Sequence, residues 1–292
     1  MSKHKELFSN INIRITFYSE VGIGVSGNAI LLLFHIAVLL LGHRRRLTDL
    51  PVGLLALNHL VMLVIEGYIG TDLFTTQGRV WDDITCKSLI FLYRCTRGLS
   101  ICITCQLSVL QAIILSPRSS CLAKFKSKSS WHNLCPILFL WVLYTSVSSH
   151  LVISIAATRN VTGDHRMYVT ESCSVLPMHS FLRHVFSPLL ICREAFFTVF
   201  MCLSGGYIVI LLWRHKNSPE LKAARTILLH MSFFVVMSIL DSTISYSRTM
   251  FNDNAVLHCI QVLMARSYAT VSPLVFITTE KRMISFLRSM WK

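Results

Sequence analysis

Charged side chains lie inside long apolar stretches of this sequence, where a charge is costly and usually serves a purpose. Arg94 and Arg97 are three residues apart in one such stretch, so a helix would place both on one face. Two guanidinium groups in an apolar setting are suited to bind an anionic or strongly polar ligand, or to pair with carboxylates on neighbouring segments. Other charged residues within these stretches include Glu66, Arg193, Glu194, Asp241 and Arg266. Of these, Glu66 and Arg266 are near segment ends, so an alternative for them is that the charged group simply extends to the membrane surface.

A polar stripe accompanies Arg97 on the same predicted helix. Tyr93, Ser100 and Thr104 recur with it at helical spacing. The stretch that contains this stripe, residues 87–115, is the third of seven apolar segments described below. The stripe favours a ligand-binding face, because the third helix runs through the centre of seven-helix bundles. The alternative is that the charges form structural ion pairs that fix how the helices pack. The candidate ligand-binding residues are Tyr93, Arg94, Arg97, Thr104 and Glu194.

Other kinds of reactive site are not indicated by the sequence. The histidines are scattered, and no pair of them has a cysteine or carboxylate partner at metal-ligand spacing. A glycine-rich phosphate-binding loop and a nucleophile elbow are also missing. The sequence therefore predicts no metal, no cofactor and no catalytic residue, and it favours a receptor over an enzyme.

Seven apolar segments must position these side chains. Hydrophobic residues make up 53% of the 292 residues and charged residues only 14%, where soluble domains average about 25% charged residues. Each segment has the roughly 20 residues that a helix needs to cross the membrane, and lipid requires such long segments to be helical. The predicted fold is an all-α membrane protein, a seven-transmembrane-helix bundle in residues 21–278, with an N-terminal segment 1–20 and an amphipathic tail 279–292. The segments are 21–41, 50–69, 87–115, 134–157, 185–213, 226–250 and 256–278.

Basic residues concentrate in alternate loops. The net charge is +14, and most of the excess lies in the loops after the first, third and fifth segments and in the tail. By the positive-inside rule, this bias predicts an extracellular N-terminus and a cytoplasmic C-terminus. Because the charge flanks membrane segments, the expected partner is the lipid bilayer and not nucleic acid. The basic residues singled out in the second and third inner loops are Arg118, Lys124, Lys126, Lys222 and Arg225.

Two cysteines and one glycosylation sequon lie on the predicted outer side. Cys86 begins the third segment and Cys173 lies in the loop after the fourth, so both face an oxidising compartment. A disulfide between them would hold the second outer loop over the bundle, with two free thiols as the alternative. Asn160 opens an Asn-Val-Thr sequon in the same loop, which predicts an N-linked glycan.

Several short motifs, in order, resemble those of mammalian vomeronasal type-1 receptors. They are 97–101 (RGLSI), 111–113 (QAI), 116–120 (SPRSS), 122–126 (LAKFK), 218–220 (SPE) and 270–275 (TVSPLV). The sequence also lacks an Asp/Glu-Arg-Tyr triplet after the third segment, and it has 272–276 (SPLVF) where rhodopsin-like receptors usually carry Asn-Pro-x-x-Tyr. Vomeronasal type-1 receptors typically lack both motifs.

The resemblance implies a G-protein-coupled pheromone receptor in the plasma membrane of vomeronasal sensory neurons. Its ligand would be a small organic pheromone, and its partner a heterotrimeric G protein of the Gi/Go type. A ligand that binds the active packing of the helices better would shift the equilibrium toward activity. The basic inner-loop residues would then face the G protein, with plain membrane anchoring as the alternative.

Two other functions compete with this interpretation. A bitter taste receptor is also a seven-helix sensor, but its motifs for the second and fifth segments are not found here. A small-solute transporter often contains internal repeats with interrupted helices. This sequence shows no repeat, and its prolines do not recur at a fixed period.

Overall fold

The computed structural model describes residues 10–40, 47–74, 81–116, 130–149, 154–158, 167–170, 172–176, 180–214, 220–250, 254–279, 282–284 and 288. Within these residues, seven long helices follow one another, with three short strands between the fourth and fifth. The helices are α1 (Ile11–Leu40), α2 (Asp49–Phe74), α3 (Asp83–Leu115), α4 (Ser130–Ser148), α5 (Ser180–Arg214), α6 (Glu220–Met250) and α7 (Ala255–Thr279). The strands are β1 (Ile155–Ala157), β2 (Met167–Tyr168) and β3 (Cys173–Val175).

The lengths and apolar composition of the helices are those of a membrane-spanning bundle. Helices α1, α2, α3 and α7 each contain an apolar stretch long enough to cross a membrane. Helices α4, α5 and α6 carry shorter apolar stretches, at Cys135–Ser148, Ala195–Leu211 and Ser232–Ile244. Large apolar side chains on the outside of the bundle, such as Phe139, Leu203 and Trp213, are exposed. Lipid, and not water, is the solvent that suits such a surface, so the predicted fold class is confirmed.

Helix α3 lies at the centre of the bundle, as expected. It packs against α2, α4, α5 and α6, whereas α1 packs against α2 and α7. Buried amides join neighbouring helices. Asn58 Nδ2 donates to Thr96 O and Ser100 Oγ, both at 2.7 Å, and so links α2 to α3. Asn28 Nδ2 donates to Ala269 O at 2.9 Å and links α1 to α7. These bonds satisfy buried polar groups and fix the register of the helices.

Helices α3 and α4 approach each other closely at a glycine. Gly98 faces the ring of Tyr144, and a Cβ atom at this glycine would overlap that ring. The Arg193 guanidinium of α5 lies 3.8 Å from the centroid of the same ring and donates to Ser148 Oγ at 2.7 Å. One missing side chain on α3 therefore lets three helices meet.

Several segment ends differ from the sequence prediction by a few residues, and two of the differences affect which residues lie in the bundle. Helix α1 begins at Ile11, so half of the predicted N-terminal segment 1–20 is helical. The predicted fourth segment, 134–157, is wrong at its end, because α4 stops at Ser148 and Ile155–Ala157 forms a strand. The first error arises because residues 11–20 include charged side chains, so the apolar run starts later than the helix does. The second error has another cause. A hydropathy pattern does not distinguish a helix turn from a short buried strand, since either can hide apolar side chains.

The strands form a small antiparallel sheet in the order β1–β3–β2, here called the outer sheet. In its register, Ala157 is opposite Cys173. A disulfide joins Cys173 to Cys86 of α3, with the two Cα atoms 5.7 Å apart, so the predicted bond is confirmed. Asp83 Oδ1 accepts a hydrogen bond from the Ala157 amide at 2.6 Å.

A carboxylate of α2 provides another anchor for the outer sheet. Asp72 accepts hydrogen bonds from the Ser172 amide at 2.9 Å and from its hydroxyl at 2.6 Å. The outer sheet is thus tied to the last turn of α2 and to the first turn of α3. Helix α3 itself begins at the N-cap residue Asp82, whose Oδ1 accepts from the Thr85 amide at 3.0 Å. Hydrogen bonds from the Thr85 hydroxyl and amide lower the pKa of the Asp82 carboxyl.

Candidate ligand-binding site

The polar stripe of α3 faces a carboxylate of α6. Arg97 Nη2 lies 2.6 Å from Asp241 Oδ2, and the two side chains are only 12% and 8% exposed. The other carboxylate oxygen accepts from Gln261 Nε2 of α7 at 3.4 Å. The structural alternative for Arg97 is therefore realised: it joins the central helix to α6. Its predicted contact with a ligand stays a prediction.

A second ion pair joins the first and last helices. Arg266 Nη2 of α7 lies 3.2 Å from Glu20 Oε2 of α1. The Arg266 side chain is 2% exposed, and its guanidinium lies 3.8 Å from the centroid of the Phe17 ring. The expectation that Arg266 reaches the membrane surface is wrong. Helix α7 begins at Ala255, about three turns earlier, so Arg266 is well inside the bundle.

Glu66 of α2 lies between these two pairs and belongs to neither. It is 7% exposed, so the expectation that it extends to the surface is also wrong. The Tyr93 hydroxyl is its hydrogen-bonding neighbour, and the charges of Arg97 and Arg266 act on it. The Tyr93 hydroxyl in turn accepts from Arg97 Nη1 at 3.4 Å. Glu66 Oε2 accepts no hydrogen bond from the part of the chain that the structure describes.

Five charged side chains thus form one group, here called the charge cluster. Its members are contributed by α1, α2, α3, α6 and α7. The cluster lies in the half of the bundle that carries the outer sheet. Tyr93 is seven residues beyond the disulfide cysteine Cys86, which corresponds to about 10 Å along α3. The charge cluster consists of Glu20, Glu66, Arg97, Asp241 and Arg266.

The remaining candidate ligand residues have different surroundings. Arg94 is half-buried, and none of the described side chains forms an ion pair or hydrogen bond with it. Thr104 is fully buried and its hydroxyl has no hydrogen-bond partner in the described part of the chain. Glu194 belongs to α5, but its side chain lies outside the described residues. Arg94 and Thr104 therefore have polar groups without a described hydrogen-bond partner, whereas Tyr93 is in direct contact with the charge cluster.

Glu20 is the functional candidate that sequence reasoning missed. It was assigned to the N-terminal segment because the apolar run starts after it. The signal that would have found it is periodicity, since Phe17, Gly24, Gly27 and Leu31 are buried on one face of α1. Glu20 lies on the same side of the helix, three residues after Phe17, where it meets Arg266.

The inner end of the bundle contains a separate ion pair. Arg282 Nη2, in the tail, lies 2.8 Å from Asp49 Oδ1 at the start of α2, and Met283 beside it is fully buried. The predicted G-protein-facing residues are not part of this arrangement. Arg118, Lys124 and Lys126 lie outside the described residues, as does the sequon residue Asn160. Lys222 and Arg225 are in the first turns of α6, and their side chains are not among those described.

Sequence relatives agree with this architecture. The family model described as "Vomeronasal organ pheromone receptor family" matches residues 11–289. Vomeronasal type-1 receptor 94 of Rattus norvegicus is 53% identical, with 100% of this chain and 94% of the relative covered. Vomeronasal type-1 receptor 47 of Mus musculus is 52% identical, with 99% of this chain and 98% of the relative covered. These relatives are receptors and not enzymes, as the sequence predicted. The chain therefore belongs to the vomeronasal type-1 receptor family, whose members are multi-pass, chemosensory G-protein-coupled receptors.

Proposed function

We propose that this receptor binds a small organic pheromone between its helices, beneath the outer sheet, and activates a G protein of the Gi/Go type. The observation that carries the proposal is the polarity of α3. This central helix presents Tyr93, Arg94 and Thr104 inside an apolar bundle, and neither the Arg94 guanidinium nor the Thr104 hydroxyl has a described hydrogen-bond partner. Buried polar groups without partners usually mark a functional site.

The outer sheet supports binding at this end of the bundle. It is held by a disulfide to α3 and by carboxylates of α2 and α3, so it forms a fixed cover about two turns above Tyr93. A fixed cover reduces the entropy lost when a ligand is bound. On this proposal the N-terminus is extracellular, and the chain enters the membrane along α1.

The opposite end of the bundle is the proposed G-protein surface. The basic residues there lie in the loops that the positive-inside rule assigns to the cytoplasm, or in the helix turns next to them. They also present positive charge to a partner that is guided by electrostatics. We place this receptor in the plasma membrane of vomeronasal sensory neurons, where a pheromone receptor would act. The residues proposed to face the G protein are Arg118, Lys124, Lys126, Lys222 and Arg225.

A G-protein activation assay tests this proposal. The tagged receptor is expressed in cells, its surface level and N-terminal side are measured with antibody on intact cells, and steroid and urinary-volatile panels are applied with and without pertussis toxin. The proposal expects a response that the toxin abolishes. Ion or solute flux that persists without a G protein would instead indicate a transporter.

Paired variants on α3 locate the ligand. Arg94→Gln removes the cation that no described side chain pairs with, whereas Lys87→Gln removes a cation seven residues earlier on nearly the same face of the helix. Loss of the response in the first variant only, at equal surface levels, supports contact between Arg94 and the ligand. Equal loss in both variants would indicate general attraction by positive charge instead.

A further inference from the structure

The charge cluster contains more acidic than basic side chains. Its carboxylates are Glu20, Glu66 and Asp241, and its guanidinium groups are Arg97 and Arg266. Each arginine is already paired at hydrogen-bonding distance, Arg97 with Asp241 and Arg266 with Glu20. Among the described residues, the remaining carboxylate is that of Glu66, which has no cation in direct contact.

This leftover carboxylate is well buried. Glu66 is 93% removed from solvent, since only 7% of it is exposed, and its Oε2 oxygen accepts no hydrogen bond from the described residues. An ionised carboxylate in such a place costs several kcal/mol unless a positive group or hydrogen-bond donors compensate it. When a native protein retains a buried carboxylate without full compensation, that carboxylate usually has a functional role.

The neighbours of Glu66 supply that compensation only in part, through a hydrogen bond with the Tyr93 hydroxyl and the more distant charges of Arg97 and Arg266. Arg97 directs Nη2 at Asp241 and Nη1 at the Tyr93 hydroxyl. Arg266 directs Nη2 at Glu20 and stacks on the ring of Phe17. Arg94 acts electrostatically on Tyr93 but is not among the charges that act on Glu66.

Aromatic rings complete the surroundings. Tyr93 and Tyr268 both lie within electrostatic range of Glu66. Tyr268 is held edge-to-face by Phe234 on α6, with ring centroids 5.0 Å apart, so its position is set by packing. A carboxylate with tyrosine side chains in its surroundings is a combination that suits ammonium groups, through a charge-assisted hydrogen bond and cation–π attraction.

We propose that Glu66 is the recognition group for a ligand that carries one ammonium group. This inference rests on the proposed function and specifies its ligand class. The ammonium N–H donates to Oε2, and its single positive charge brings the cluster to neutrality. An anionic ligand would add a second uncompensated negative charge, and a neutral alcohol would supply a hydrogen bond without the charge. The site therefore prefers an amine to the alcohol or acid of the same skeleton.

Thermal unfolding of the purified receptor in lipid nanodiscs tests the proposal without any G protein. The probes are methylammonium, hexylamine and cyclohexylamine, each compared near pH 7 with the alcohol of the same skeleton. The proposal expects amines to raise the unfolding midpoint at lower concentration than their alcohols. In Glu66→Gln this preference should fall by about ten- to hundredfold in apparent affinity, because a charged hydrogen bond is lost. Glu66→Asp keeps the charge and should retain part of the preference.

The matched control is Asp82→Asn. It removes one carboxylate at the outer end of α3, and asparagine is also a good N-cap, so the fold is kept. This variant should bind amines as the parent does. Glu66→Gln should fold at least as well as the parent, because it replaces a buried charge by a neutral amide of the same shape.

The outcomes separate this inference from the proposed function. Amine and alcohol binding of equal strength in every pair, or an amine preference that survives Glu66→Gln, would overturn the inference. A large loss of stability in Glu66→Gln would also overturn it, since Glu66 would then be a structural counter-charge to Arg266. A toxin-sensitive response to neutral or anionic odorants, unchanged in Glu66→Gln, keeps the proposed function and rejects the amine site. Amine binding that depends on Glu66, without any G-protein response, keeps the site and rejects the signalling.

Discussion

The two halves of the bundle differ in how much charge they bury. The half that carries the outer sheet contains the charge cluster, with five buried or half-buried charges contributed by five helices. The inner half is packed with apolar side chains such as Phe34, Leu55 and Leu107, and its described ion pair lies at the boundary, between Arg282 and Asp49. We interpret the difference as a division of labour. The outer half is costly to assemble and, on the proposed function, recognises a ligand, whereas the inner half is densely packed without a central charge and can transmit a helix movement.

The strongest test of this contrast is to remove the acid of the central ion pair. Asp241→Asn leaves the buried Arg97 guanidinium without a charged partner, and we expect a loss of about 3–5 kcal/mol of stability. The unfolding midpoint and the surface level measure the effect. In the double variant Arg97→Gln with Asp241→Asn, both charges are gone and most of the stability should return. A single variant as stable as the parent would show that the pair is not structural.

The disulfide of the outer sheet should have the next largest effect. Cys173→Ser frees the sheet from α3, and we expect a loss of about 2–5 kcal/mol and a lower surface level. Cys202→Ser is the control, because Cys202 is a free and exposed cysteine of α5. Unchanged surface delivery and ligand response in Cys173→Ser would mean that the outer sheet does not depend on this bond.

The close contact between α3 and α4 should have a smaller effect. Gly98→Ala places a methyl group against the Tyr144 ring, and we expect a loss of about 1–3 kcal/mol from overpacking. Gly206→Ala is a matched control in α5, where an added Cβ would meet no atom within 4 Å. The difference between the two unfolding midpoints measures the packing contribution, and equal midpoints would contradict the close approach of the two helices.

The inner ion pair should have the smallest effect. Asp49→Asn breaks the contact with Arg282, whose side chain is 30% exposed, so we expect a loss of about 1 kcal/mol or less. Arg288→Gln, at an exposed tail position, is the control. Protease accessibility of the tail reports the change more directly than the unfolding midpoint does. A loss as large as that of Asp241→Asn would remove the contrast between the two halves.

The membrane fold was predictable from the sequence because hydrophobic length alone specifies a spanning helix. The ends of the segments were less predictable. Residues 11–20 include arginine and glutamate, so hydropathy placed them outside the bundle, although Phe17 and Glu20 pack against α7. The disulfide was predictable because only a few cysteines fall on the side that the charge pattern predicts to be oxidising, which restricts the choice.

The charge cluster was predictable only in its members, and not in its pairing. The sequence identified Arg97, Asp241, Glu66 and Arg266 as intramembrane charges, but which acid meets which base depends on how far each helix is rotated. A rotation of one residue changes the direction of a side chain by about 100°. The pairing of Arg266 with Glu20 was missed for this reason and because Glu20 was assigned to the outer segment.

The ion pair between Glu20 and Arg266 also affects the synthesis of the protein. The two residues are 246 positions apart, and the hydrogen bond from Asn28 to Ala269 spans 241. At about 5–20 residues per second, the ribosome needs roughly 12–50 s to reach α7 after it has made α1. During that time the first helix lacks the arginine that pairs with its carboxylate. Only a nearly complete chain supplies this partner, so a chain truncated before α7 would keep an uncompensated acid on its first helix.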